Sequence, residues 1–129
     1  MNCGIEVLKR LNEIIDIDLN EVIYKCEKKV NDNGLSMYDL YHELKRVLDC
    51  EAIASLKLIK QTPFIAFIGF DHKGHYVLVE KIDKYVYIYD PAGKYTKCTK
   101  LFFYMIWSKK AIVLCYTNKS RGAYYDNIH

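Results

Sequence analysis

An α+β domain is the fold this sequence predicts, and three observations predict it. Apolar residues recur at helical spacing through the N-terminal part of the chain. After residue 60 the apolar runs shorten, become rich in β-branched and aromatic residues, and are separated by turn residues. A length of 129 residues, 51% of them hydrophobic, supports one core and leaves little room for a second. Helices gathered first and strands gathered second give α+β rather than the alternating α/β pattern.

Taken in order, Ile5, Leu8, Leu11 and Ile15 share one side of a first helix over residues 5 to 15. A second helix follows from Leu19, with Val22, Ile23, Cys26 and Val30 on its apolar face and Asp18 as the expected cap, Glu21 standing three positions on. NDNG at 31 to 34 ends it. Ser36 caps a third helix with Asp39 at the capping-box position, and Met37, Leu40, Tyr41, Leu44, Val47 and Leu48 lie on one face. Pro63 to Phe70, Tyr76 to Ile82 and Tyr85 to Tyr89 then read as consecutive strands of a mostly antiparallel sheet, divided by DHKG and by the two-residue turn Asp83-Lys84. A short helix near Leu101 to Trp107 and a strand near Ala111 to Tyr116 complete a domain over residues 1–116. Residues 117–129, TNKSRGAYYDNIH, read as a polar tail.

Charge and composition narrow the function. Nineteen Lys and Arg against sixteen Asp and Glu give a net charge of +3, spread along the chain without a basic stripe, so nucleic acid is not the expected partner. The longest apolar runs, PFIAFIGF and LFFYMIW, fall far short of the roughly 18 residues a membrane-spanning helix needs, so no direct membrane insertion is expected. The N-terminus MNCGIEVLKRLNE lacks a signal-peptide pattern, and a cytoplasmic protein is the expectation. Five cysteines without a CxxC pair point to a reducing compartment and no structural zinc, with Cys26 and Cys115 as small buried hydrophobes.

Three polar residues stand out from this background. Cys3 immediately precedes the first helix, where unpaired backbone N–H groups and the helix dipole are expected to lower its thiol pKa from about 8.5 towards roughly 3.5 to 7.5. Gly4 beside it leaves space for a substrate carbonyl. His75 opens one strand and Asp90 closes the next, so a tight antiparallel hairpin brings them together. A carboxylate there would fix the histidine tautomer while the other ring nitrogen exchanges a proton with the thiol. Cysteine on a helix, then histidine and acid on a sheet, is the papain-type order.

Rival readings of the same residues stay open. DPAG makes a good turn unaided, and a histidine at a strand start is often a surface residue. Asp71, His72, His75 and Asp90 could be neighbours at a metal, although HKGH reads as a turn and not as a helix. Tyr85, Tyr87 and Tyr89 alternate along one strand face. They read mainly as a half-buried surface with hydroxyls reaching water, the alternative being an aromatic groove for a helical peptide.

The segments NCGIEVL, NGLSMYDLYHELK, TPFIAFIGFDHKGHYVLVEKIDKYVYIYDPAGKYTKCTKLFFYMIW and AIVLC together resemble the peptidase domain of bacteriocin-exporting ABC transporters, over about nine tenths of the chain. That family cleaves leader peptides after a double glycine. The resemblance implies a papain-like fold, Cys3 as nucleophile, His75 as general base and acid, and Asp90 as the residue that orients the histidine. It also implies no cofactor, a double-glycine leader peptide as substrate and an ABC transporter membrane component as partner. The chain has no phosphate-cradling GxxxxGK[ST] motif, so it is expected to act alone or to meet a transporter as a separate polypeptide. The family places a glutamine several residues before the cysteine as an oxyanion donor; here Met1 and Asn2 stand ahead of Cys3. Loss of such a donor costs about 10²- to 10³-fold in rate, so a slow peptidase, or a domain that binds a leader without cutting it, is the alternative. Asn2 and Gln61 are the amides available to substitute. Asn2 stands where the family is usually acidic, so its expected role is structural.

Overall fold

Asn2 starts the first helix. Its backbone is extended and its side-chain oxygen accepts the Ile5 N–H at 3.0 Å, satisfying one of the donors that a helix start leaves unpaired. In this computed structural model, which describes residues 2–69 and 74–115, helix α1 therefore runs over Cys3–Ile14. The spacing of Ile5, Leu8 and Leu11 turns all three inward, and they are buried. Helix α2 covers Asn20–Lys29, one residue later than an Asp18 cap requires. Asp18 accepts the Asn20 N–H at 2.9 Å, but Leu19 holds the boundary because Asn12 of α1 accepts its N–H at 2.8 Å. Helix α3, Met37–Lys45, is capped as expected: Ser36 Oγ accepts the Asp39 N–H at 3.1 Å. It ends before Val47, which stands 40% exposed instead of joining the apolar face.

The remaining elements are strands β1 (Cys50–Ala54), β2 (Phe64–Ile68), β3 (His75–Ile82), β4 (Tyr85–Tyr89) and β5 (Lys97–Thr99), helix α4 (Lys100–Ile106) and strand β6 (Trp107–Leu114). They form one six-stranded sheet in the order β1-β6-β2-β3-β4-β5, with every neighbouring pair antiparallel. Two strands escape a reading by pattern. β1 buries only Cys50 and otherwise lies open at an edge, and β5 is three residues long, so neither has an apolar alternation to reveal it. β6 begins directly after α4, through the polar stretch WSKK. There Lys109 takes a positive φ of 71° and its ammonium donates to the carbonyls of Tyr104 and Trp107 at 2.7 and 2.9 Å.

Hydrophobic side chains alternate to the two faces of this sheet, and both faces are covered. Ile65, Tyr76, Leu78, Ile112 and Leu114 pack under α1, α2 and α3. Phe64, Ala66, Val77, Val79 and Ile88 pack on the opposite side with Phe103 of α4 and with Trp107, whose rings stack at 5.7 Å. Double coverage explains why β2 and β3 read as unbroken apolar runs. No described helix is long and apolar enough to cross a membrane. The expected tail from residue 117 and the DHKG turn fall on residues outside those described, apart from Gly74.

Candidate active site

Cys3 is the first residue of α1, and the Asn2 cap holds the helix start that carries it. Across from it, β3 begins at His75. Leu78 pairs with Tyr89 in the β3–β4 ladder, so Asp90 lies one residue past the last pair and His75 three residues before it, on adjacent strands. Their side chains meet: His75 Nε2 lies 2.9 Å from Asp90 Oδ1. A carboxylate can only accept, so Nε2 carries the proton and Nδ1 is left as the acceptor nitrogen.

Asp90 is held from every side. Its side chain is fully buried, and besides His75 it accepts the backbone N–H groups of Ala92 on Oδ1 at 2.9 Å and of Lys94 and Tyr95 on Oδ2 at 3.1 and 3.0 Å. The DPAG turn expected from the sequence is thus built around the carboxylate, with the Gly93 N–H returning to the Asp90 carbonyl at 2.8 Å. Turn and acid are one feature.

Cys3 and His75 both line a cleft of about 480 Å³. Its helical side is the loop between α2 and α3, including Gly34 and Leu35; its sheet side is Phe67, Gly74, His75 and Tyr76. Gly4 is bare for a reason of packing: a Cβ there would lie 3.1 Å from Leu35 Cδ2. Gly74 is more tightly constrained, since a Cβ would come within 2.7 Å of the Phe67 ring and of the Ile68 carbonyl. Sequence reasoning missed this cleft wall. Phe67 and Tyr76 sit in apolar runs where nothing separates a core residue from a cleft residue, and NDNG read only as a helix stop.

The thiol departs from expectation. Burial, and after it the negative charge of Asp90, push the Cys3 pKa up from the ordinary thiol value, opposite to the lowering expected from the helix start alone. Gln61, one of the two amides considered as an oxyanion donor, donates to the Leu114 carbonyl at 2.7 Å and does not line the cleft. Asn2 has the structural part expected of it, as the helix cap. Tyr85, Tyr87 and Tyr89 are half-buried on β4, under Lys97, Lys81 and Arg10 respectively, and are not cleft residues. Cys26 is buried as expected, whereas Cys115 is only half-buried. Among the described residues no group of three metal-ligating side chains comes together; Asp71 and His72, named in the metal alternative, lie outside them.

A family model described as Peptidase C39 family matches residues 1–120. The chain belongs to the Peptidase C39 family. C39 members are cysteine peptidases, so this family member is placed among enzymes with a catalytic thiol. A comparison with curated protein sequences gave no match. Solved structures share the fold. One is the peptidase domain of Streptococcus ComA, described as a bifunctional ABC transporter involved in a quorum-sensing pathway. It is 21% identical with a TM-score of 0.68, over 90% of this chain and 92% of that one. The peptidase domain of Streptococcus mutans ComA is 23% identical with a TM-score of 0.60, over 88% and 91%. A double-glycine-motif protease from an AMS/PCAT transporter, solved with a leader peptide, is 17% identical with a TM-score of 0.69, over 90% and 85%. The C39 chain therefore has the papain-like peptidase fold that its resemblance to transporter peptidase domains implies, built on the α+β order of elements.

Proposed function

We propose that this C39 chain cleaves a leader peptide after a double glycine, with Cys3 as nucleophile, His75 as proton carrier and Asp90 as the group that orients it. One observation carries the reading: Cys3 and His75 line the same cleft, and His75 is hydrogen-bonded to the buried Asp90 behind it. The substrate class is supported by the similar fold of a protease described as acting on the double-glycine motif and bound to a leader peptide. In this mechanism Nδ1 of His75 takes the Cys3 proton as the sulfur attacks the carbonyl carbon of the second glycine. The Cys3 backbone N–H, at the unpaired start of α1, stabilises the oxyanion. His75 then gives its proton to the leaving amine, and the carbonyl re-forms as a thioester. Water, deprotonated by His75, attacks that thioester and releases the leader with a free carboxylate and the thiol restored. Cytoplasmic action in the context of an ABC transporter belongs to the same proposal.

The deciding experiment is mass spectrometry of a synthetic double-glycine leader peptide after incubation with the wild-type chain and with Cys3→Ala. Cleavage after the second glycine by the wild type alone is the expected result. Binding by both chains without cleavage by either would make the domain a leader receptor and refute the peptidase reading.

A further inference from the structure

Cys3 rides on the helical layer and His75 on the sheet, so the reaction needs something to hold the two layers at a fixed spacing beside the cleft. Hydrophobic packing alone is not directional; a hydrogen bond is. Among the described residues, one buried bond crosses between the layers at this point: the Tyr76 hydroxyl donates to the Leu35 carbonyl at 3.0 Å. Both ends bear on the reacting pair. Tyr76 follows His75 on β3, and its ring is braced edge-on by Phe67 at 5.1 Å, which itself lies against Gly74 on the other side of His75. Leu35 presses on Gly4, the residue after Cys3, close enough that a methyl group on Gly4 would meet its Cδ2 at 3.1 Å. A continuous run of contacts thus links the residue before the histidine, through Phe67, Tyr76 and Leu35, to the residue after the cysteine.

We infer that Tyr76 is a positioning residue of the reaction, whose hydroxyl bond to Leu35 sets the distance between the Cys3 sulfur and the His75 ring. The inference rests on the assignment of Cys3 and His75 as the reacting pair. Misplacing a reacting group by about 1 Å costs about 10²-fold in rate, whereas removing the bond leaves the substrate-binding surfaces in place. The signature is therefore a loss in kcat with KM little changed, accompanied by a loss of imidazole assistance to the thiol.

Tyr76→Phe keeps the ring and removes only the bond. Two measurements read it: the kcat and KM for the double-glycine peptide, and the pH profile of Cys3 alkylation by iodoacetamide, followed by mass spectrometry of the fragment carrying Cys3. The second needs no peptide substrate. His75→Ala is the control, and its alkylation must be slower than wild type below about pH 8 if the pair exists at all. With that control in hand, Tyr76→Phe is expected to lose about 10- to 100-fold in kcat and to shift its alkylation profile towards that of His75→Ala. Gly4→Ala presses on the same contacts from the other end; it is expected to move both readouts in the same direction by less, and it decides alone if Tyr76→Phe does not fold. Wild-type kcat and a wild-type alkylation profile in Tyr76→Phe, even with a lowered melting temperature, would reduce the bond to a structural one and overturn the inference. So would a rise in KM with kcat unchanged. Alkylation indifferent to His75→Ala is a different failure: it removes the reacting pair itself, and this inference with it.

Discussion

Asp90→Asn separates the two duties, holding the turn and orienting His75, that the proposed mechanism asks of one carboxylate. Four groups address it: His75 Nε2 and the Ala92 N–H on Oδ1, and the Lys94 and Tyr95 N–H groups on Oδ2. An asparagine has one oxygen to offer. Placed at the Oδ1 position it keeps His75 and Ala92 but abandons two backbone donors; placed at Oδ2 it abandons one donor and turns its NH₂ towards the ring. Each buried donor left unpaired costs about 1 to 3 kcal/mol, and the lower figure applies here because Ala92, Gly93 and Lys94 of the turn are exposed. The Oδ2 placement is therefore preferred by on the order of 1 kcal/mol. It is the harmful one. An NH₂ donating to Nε2 moves the ring proton to Nδ1, the nitrogen that must accept the thiol proton, and a wrong tautomer of this kind costs about 10⁴-fold in kcat in the serine triad. The expected result is a folded protein, a few degrees less stable by circular dichroism melting, with peptide cleavage down by about 10⁴-fold. Wild-type turnover alongside the lowered melting temperature would show that Asp90 serves the turn alone and would refute the orienting role.

Two further outcomes follow from the same surroundings. In His75→Ala the thiol loses its proposed proton acceptor while burial and Asp90 still oppose its ionisation, so the midpoint of Cys3 alkylation should stand above the ordinary thiol value; a midpoint below it would mean that another group activates the sulfur. Burial also pushes Cys26, Cys50 and Tyr76 up to about 12 from ordinary values of 9.0, 9.0 and 10.0. The unfolded chain sheds these protons first, so the stability they contribute is whole below pH 9 and is lost as pH rises towards 12, at about 1.4 kcal/mol per pH unit for each group. Melting temperatures that hold steady from about pH 8 to about pH 11 would contradict this.

Much of this arrangement is legible in the residues themselves. Period-3.6 apolar spacing marks α1, α2 and α3. Asp83-Lys84 marks the hairpin that joins β3 to β4, and once that hairpin is drawn His75 and Asp90 must be near each other. What stays hidden depends on tertiary context. β1 shows almost no apolar alternation because it is an exposed edge, and β5 is too short to show any. Phe67 and Tyr76 look like ordinary core residues because a cleft wall and a core use the same side chains. The direction of the Cys3 shift does not show in the sequence because helix position is local, whereas burial and the reach of Asp90 exist only after the sheet has closed on α1.

That closure has a consequence for the chain during its synthesis. Cys3 is made before its two proposed partners, which lie on a hairpin that must fold and then dock on α1 through contacts far apart in sequence, the slow kind to form. On the proposed assignment, the thiol therefore gains its histidine only when the sheet has docked on α1, so reactivity would report completed folding.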